Sequence, residues 1–126
     1  MTVLDSSVWI EYLTDGPNAD AFEGQFSRPE TLTVPSVVIV EVTRWLLSHG
    51  RLDMVDTVQS LFRACRVAGL DGGLAELAGR LGIERRLPLA DGIIYATAQA
   101  NHEALWTQDK DFEGLPGVRY FPKPSG

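Results

Sequence analysis

Cysteine is nearly absent from this 126-residue chain, and Cys65 is the only one. That excludes an internal disulfide and any cysteine-rich zinc site, and it suits a reducing compartment. No uncharged apolar run approaches the roughly 18 residues that a membrane span requires. The start, MTVLDSSVW, lacks a basic segment, and Asp5 interrupts its only apolar run, so no secretory signal is expected. A cytoplasmic protein without membrane attachment is the expectation. Basic charge is scarce too: Lys and Arg total 11 against 17 Asp and Glu, a net charge of -6. A broad basic surface for nucleic acid is thereby disfavoured, although a local patch is not. Internal repeats, low-complexity runs and linkers are also missing.

What remains is an ordinary globular composition, 44% hydrophobic and 22% charged, long enough for one domain with a real core. Residues 1–122 read as one unit and 123–126 as a short C-terminal tail. Thr2-Val3-Leu4 is a β-prone start, and Ser6 or Ser7 suits the cap of a helix running to Leu13. Asp15-Gly16-Pro17 breaks it, and a second helix is expected from Pro17 to Phe26. Thr31–Val34 reads as a buried strand. Helices follow at Val37–Ser48 and Asp53–Arg63, with the intervening turn at Gly50. A strand at Cys65–Ala68, helices at Leu74–Arg86 and Pro88–Asn101, and strands at Ala104–Thr107 and Val118–Phe121 complete the chain. Alternating strands and helices predict an α/β fold with a mainly parallel sheet covered on both faces. Ligands in such folds bind beyond the carboxyl ends of the strands.

Four carboxylates far apart in sequence are placed to meet there. Asp5 closes the first strand and Asp109 follows the strand ending at Thr107, while Glu41 and Asp91 lie early in helices. Each also has a local explanation. Asp5 suits a helix cap, Glu41 an i,i+3 ion pair with Arg44, and Asp91 the favourable end of a helix dipole. Asp109 and Asp111 suit a turn. Two carboxylates about 5 Å apart repel by about 3 kcal/mol at an effective dielectric of 20. A cluster of them therefore calls for shared protons or a divalent cation. Magnesium prefers such oxygen ligands, and the site needs no histidine. His49 and His102 sit at helix ends, where surface or capping roles suffice. Ser6 and Ser7 have no histidine nearby in sequence to activate them as nucleophiles.

The segments LDSSVWIEYL, PSVVIVEVTRWL, LPLADGIIYATA and LWTQDKDFEGL resemble the four signature blocks of the PIN domain, most closely those of VapC toxins. The likeness covers about residues 2 to 121. It implies a single-domain, three-layer α/β/α sandwich and an endoribonuclease that hydrolyses RNA phosphodiesters with Mg²⁺, Mn²⁺ being a plausible substitute, leaving a 5′-phosphate and a 3′-hydroxyl. By position, Asp5, Glu41, Asp91 and Asp109 would hold the metal. Ser7 and Thr107 match hydroxyls that order the first and last acids, and Asp111 is the second Asp of the TxDxDF block. Gly92 departs from the pattern, where alanine is more usual. The resemblance further implies a homodimer and a VapB-type antitoxin, in a heterotetramer or larger complex.

Arg85, Arg86 and Lys110 flank these acids in sequence and could receive the RNA backbone; solvated or dipole-complementing roles explain the arginines equally. The apolar positions Trp45, Leu46, Leu47, Val55, Val58, Leu61 and Phe62 suit either core or a groove for a partner helix. The alternatives outside this picture are a receiver-like phosphoacceptor domain and a PIN-like RNA-processing nuclease outside any toxin–antitoxin pair. A receiver would place a second acid beside Asp5, where Ser6 and Ser7 stand.

Overall fold

The computed structural model describes residues 1–124. Ser125 and Gly126, the end of the expected tail, lie outside the described residues. The elements in order are β1 (Thr2–Leu4), α1 (Ser6–Leu13), α2 (Ala19–Phe26), β2 (Leu32–Pro35), α3 (Ser36–Ser48) and α4 (Leu52–Ala64). There follow β3 (Arg66–Ala68), α5 (Gly72–Glu84), α6 (Leu89–Ala100), β4 (Ala104–Thr107) and β5 (Val118–Tyr120). Short 3-10 turns occupy Pro29–Thr31 and Lys110–Phe112.

The strands form one sheet in the order β3-β2-β1-β4-β5. Every neighbouring pair is parallel, with Val3 opposite Thr33 on one side and Leu105 on the other. Helical crossovers carry the chain outward from β1 to β3, then back across to β4. Helices α1 to α4 pack as one group, while α5 and α6 pack on each other and α6 lies over β1, β2 and β4. The strand order reverses between β1 and β4, which opens a crevice at their carboxyl ends.

Local differences from the sequence reading have local causes. Asp5, not Ser6 or Ser7, caps α1: its backbone is extended and its carboxylate accepts the Val8 N–H at 3.3 Å. Helix α5 starts two residues early because Asp71 accepts the Leu74 N–H at 2.8 Å. It ends at Glu84, since Arg86 takes a left-handed φ of 57° and turns the chain toward α6. Cys65 caps α4 instead of opening β3.

Trp9, Tyr95, Phe22 and Phe112 are the largest fully buried side chains. Each such burial is worth roughly 1.5–3 kcal/mol. Trp9 meets Phe26 edge-on at 4.9 Å and Phe62 at 4.7 Å, which joins α1 to α2 and α4. The apolar α3–α4 positions are mostly core: Leu46, Val58 and Phe62 are buried, and Trp45, Val55 and Leu61 pack against them. Leu47 alone of that set is 50% exposed. No described helix is long and apolar enough to cross a membrane.

Gly92 is explained by the α5–α6 approach. A Cβ there would lie 3.2 Å from the Ala78 carbonyl oxygen and 3.4 Å from the Gly82 Cα. The neighbours are backbone atoms, not a yielding side chain, so a Cβ fits only if the two helices part by a few tenths of an ångström. Gly92→Val is therefore expected to lower unfolding stability by about 1–3 kcal/mol, read from the urea midpoint. Gly79→Ala, whose Cβ meets nothing within 4 Å, should instead raise stability by about 0.5–1 kcal/mol.

Candidate functional site

The crevice between β1 and β4 receives an acid from each of four chain segments. Asp5 follows β1 directly and is 3% exposed. Both of its oxygens are held. Oδ1 accepts the Ser7 hydroxyl at 2.5 Å and the Val8 N–H, and Oδ2 accepts the Thr107 hydroxyl at 2.6 Å. Burial pushes its pKa up to about 6, partly countered by the Ser7, Thr107 and Val8 bonds, with Asp109 adding repulsion.

Thr107 links the two strands. Its Oγ1 donates to Asp5 and accepts the Asp109 N–H at 2.9 Å. Asp109 in turn caps the 3-10 turn, its Oδ1 accepting the Asp111 N–H at 2.9 Å. Turn-forming and clustering roles thus coincide for this pair.

Asp91 occupies the first turn of α6. The Pro88 cap makes no side-chain bond, and Asp91 accepts no hydrogen bond among the described residues. Its pKa is pushed up to about 7, first by burial, then by the charges of Asp109, Asp5, Glu41 and Asp111. No cation counters them. One oxygen each from Asp91, Asp109 and Asp111 lie within 4.8 Å of one another. Magnesium binds such oxygens at about 2.0–2.1 Å and leaves several positions to water, so a few convergent carboxylates are enough. An all-oxygen donor set without a positive partner fits a hard divalent cation.

Glu41 sits on α3 at the edge of this group. It accepts the Ser6 hydroxyl at 3.0 Å on Oε1 and makes no ion pair with Arg44. The local pairing expected for it does not form. Asp5 and Glu41 lie outside the tightest trio, near enough for their charges to act on Asp91.

The cations are less concentrated. Arg85 pairs with Glu84 at 3.9 Å, its Nε is buried without a partner, and its charge acts on the Tyr95 hydroxyl, not on the acids. Arg86 and Lys110 are exposed, without an ion pair among the described residues.

Three contributors escaped sequence reasoning. Ser6 holds Glu41 across 35 residues. Gln108, 4% exposed, donates its backbone N–H to the Ser7 hydroxyl and its side-chain amide to the Ser7 carbonyl, each at 3.1 Å. Asn18 then donates to the Gln108 amide oxygen at 2.7 Å. No spacing rule signals contacts this distant; the only cue was that Ser6 and Gln108 neighbour the motif acids.

A parallel α/β domain that gathers carboxylates where its strand order reverses carries a candidate site for a hard cation. The PIN domain matches residues 2–118, and the chain belongs to that family. A chain of a toxin–antitoxin complex from Klebsiella pneumoniae is 25% identical, with a TM-score of 0.79 over 94% of this chain and 96% of that one. Mycobacterium tuberculosis VapC20, a sarcin–ricin loop cleaving toxin, is 18% identical with a TM-score of 0.78, covering 97% of this chain and 100% of that one. VapBC2 from Rickettsia felis, bound to a promoter DNA fragment, is 13% identical with a TM-score of 0.73, covering 95% and 98%. No curated protein matches. The family match displaces the receiver-like alternative.

Two outcomes follow from the geometry. Without metal, Asp91 and Asp5 have folded-state pKa values above their ordinary 3.8. The folded chain then binds more protons than the unfolded one between about pH 4 and 7, so stability must fall as pH rises through that window. A melting series in EDTA is expected to show that decline, and Asp91→Asn to remove much of it, melting at or above the parent at pH 8. Thr107→Val deletes a donor to Asp5 and an acceptor for Asp109. It should cost about 1–3 kcal/mol of stability and weaken divalent-ion binding by about 10–100-fold, measured by calorimetry.

Proposed function

We propose that this chain is a metal-dependent endoribonuclease and the toxin of a VapBC-type toxin–antitoxin pair. The observation that carries the reading is the convergence of Asp91, Asp109 and Asp111, one oxygen of each within 4.8 Å of the others, with Asp5 and Glu41 beside them. The helix dipole accounts for one carboxylate at the start of α6, but not for the gathering of the others around it; a shared cation does. Membership of the PIN family and the toxins among its structural neighbours support the biological assignment over a general RNA-processing role.

Asp5, Asp91, Asp109 and Glu41 would hold Mg²⁺ or Mn²⁺, with Asp111 completing the cluster. When bound, such an ion supplies Lewis acidity for phosphodiester hydrolysis. The chain's own groups divide the remaining work. Asp5, with both oxygens fixed, is the rigid anchor. Ser7 and Thr107 orient it, and Thr107 and Asp111 orient Asp109. Asp91 and the Glu41 Oε2 accept no hydrogen bond among the described residues, and such free oxygens are able to take a proton from attacking water. Arg85, Arg86 and Lys110 are placed to receive backbone phosphates outside the acids, with Arg85 the most constrained. With a net charge of -6, RNA should be held loosely and lose affinity steeply with salt.

The neighbouring chains from toxin–antitoxin complexes support a VapB-type antitoxin partner and, with it, homodimers within a heterotetramer or larger complex. An antitoxin arginine is suited to silence the site, since its guanidinium matches carboxylates two at a time and cannot lose its charge.

Asp91→Asn and Glu41→Gln test the reading directly. Each is expected to reduce Mn²⁺- or Mg²⁺-supported RNA cleavage by about a hundredfold or more, with circular dichroism unchanged. A folded Asp91→Asn protein that cleaves at the parent rate would remove the acids from catalysis.

A further inference from the structure

Outside the acid cluster, one face of α3 combines features that the site chemistry leaves unused. Glu41, Arg44, Trp45 and Ser48 line an open groove of about 310 Å³. These positions follow the i, i+3, i+4, i+7 stripe, so they form a continuous surface, and His49 extends it by one residue. The groove begins at Glu41, which also belongs to the acid cluster.

Two observations suggest what lies along it. Glu41 turns to the Ser6 hydroxyl instead of Arg44, and Arg44, exposed, makes no ion pair among the described residues. Its guanidinium is the cation nearest Glu41 along the helix that no carboxylate occupies. Next, the His49 imidazole lies on the Trp45 indole at 3.9 Å and 14° between planes. The His49 Nδ1 is held 2.8 Å from the Trp45 carbonyl and 3.0 Å from the Ser48 hydroxyl. The imidazole is thereby held against the indole, on an exposed residue. A free guanidinium beside an immobilised aromatic pair is the chemistry that binds a nucleotide, one group for the phosphate and the other for the base.

We infer that the α3 groove is a single-strand RNA subsite, in which Arg44 takes the phosphate adjoining the scissile one and the Trp45–His49 pair stacks its base. The inference rests on the nuclease reading of the acid cluster. It adds a positioning surface that is tolerant of sequence, because every base offers a π-face.

The test uses a short, fluorescein-labelled single-stranded RNA with full-length protein. Arg44→Ala and His49→Ala should each raise the KM for RNA by about fivefold or more, kcat changing far less and Mn²⁺-induced thermal stabilisation being retained. Arg44→Lys should keep the salt dependence of binding, whereas Arg44→Ala should reduce the slope of log K against log salt by about 0.7. His49→Phe should restore the affinity that His49→Ala loses. Binding measured by anisotropy with Ca²⁺ reports on the groove even if the wild-type chain cleaves no RNA, which would sink the nuclease reading separately. Parent-like KM and salt slope in both alanine variants would overturn the inference. So would variants that bind RNA normally but lose affinity for an antitoxin peptide.

Discussion

Like-charge repulsion among carboxylates is the constraint around which this fold is arranged. Asp91, Asp109 and Asp111 converge at one end of the sheet, with Asp5 and Glu41 near enough for their charges to act on Asp91. Each pair costs folding free energy whenever both members are ionised. The protein limits that cost without neutralising it. Asp5 is surrounded by hydroxyl and amide donors, Asp109 is tied into a turn, and Asp91 is left to carry a raised pKa. The site remains poised for a cation that the chain does not itself supply.

Strand order gives the crevice its shape. Because the chain runs outward from β1 to β3 and then returns to β4, the first and fourth strands become neighbours. Their carboxyl ends bring Asp5 within reach of Thr107, residues 102 apart. The β4 turn is anchored again through Gln108, which joins Ser7 to Asn18. A disturbance of α2 is thus transmitted toward Asp5 through the Asn18–Gln108–Ser7 series, although Asn18 touches no acid.

Stability and function are traded at particular positions. Helix α6 approaches α5 closely enough to require Gly92 next to Asp91, a loss of helix propensity that the α5–α6 packing offsets. The α3 face shows a parallel economy. Its inner residues, Val38, Val42 and Leu46, are fully buried, while Glu41 joins the acids and Arg44 stays unpaired. One helix thus holds the core on one side and presents polar groups on the other.

Much of this was legible in the sequence. Hydrophobic periodicity located every helix and strand, β4 at the bounds observed, and the four acidic blocks pointed to one edge of the sheet. Local spacing could not decide between the two explanations open to each acid. Glu41 beside Arg44 suggests an ion pair at i,i+3, and only the arrival of Ser6 from α1 shows why it does not form. Asp91 near a helix start suggests dipole stabilisation, and only burial in the folded chain, together with the other four acids, gives it a raised pKa. The need for Gly92 likewise appears once α5 lies against it. Sequence by itself determined the elements and the residues with chemical potential, because backbone propensity and side-chain type act over a few positions. Tertiary structure decided which of them share a crevice, because Coulomb repulsion and hydrogen bonding depend on distances in space that chain separation does not contain.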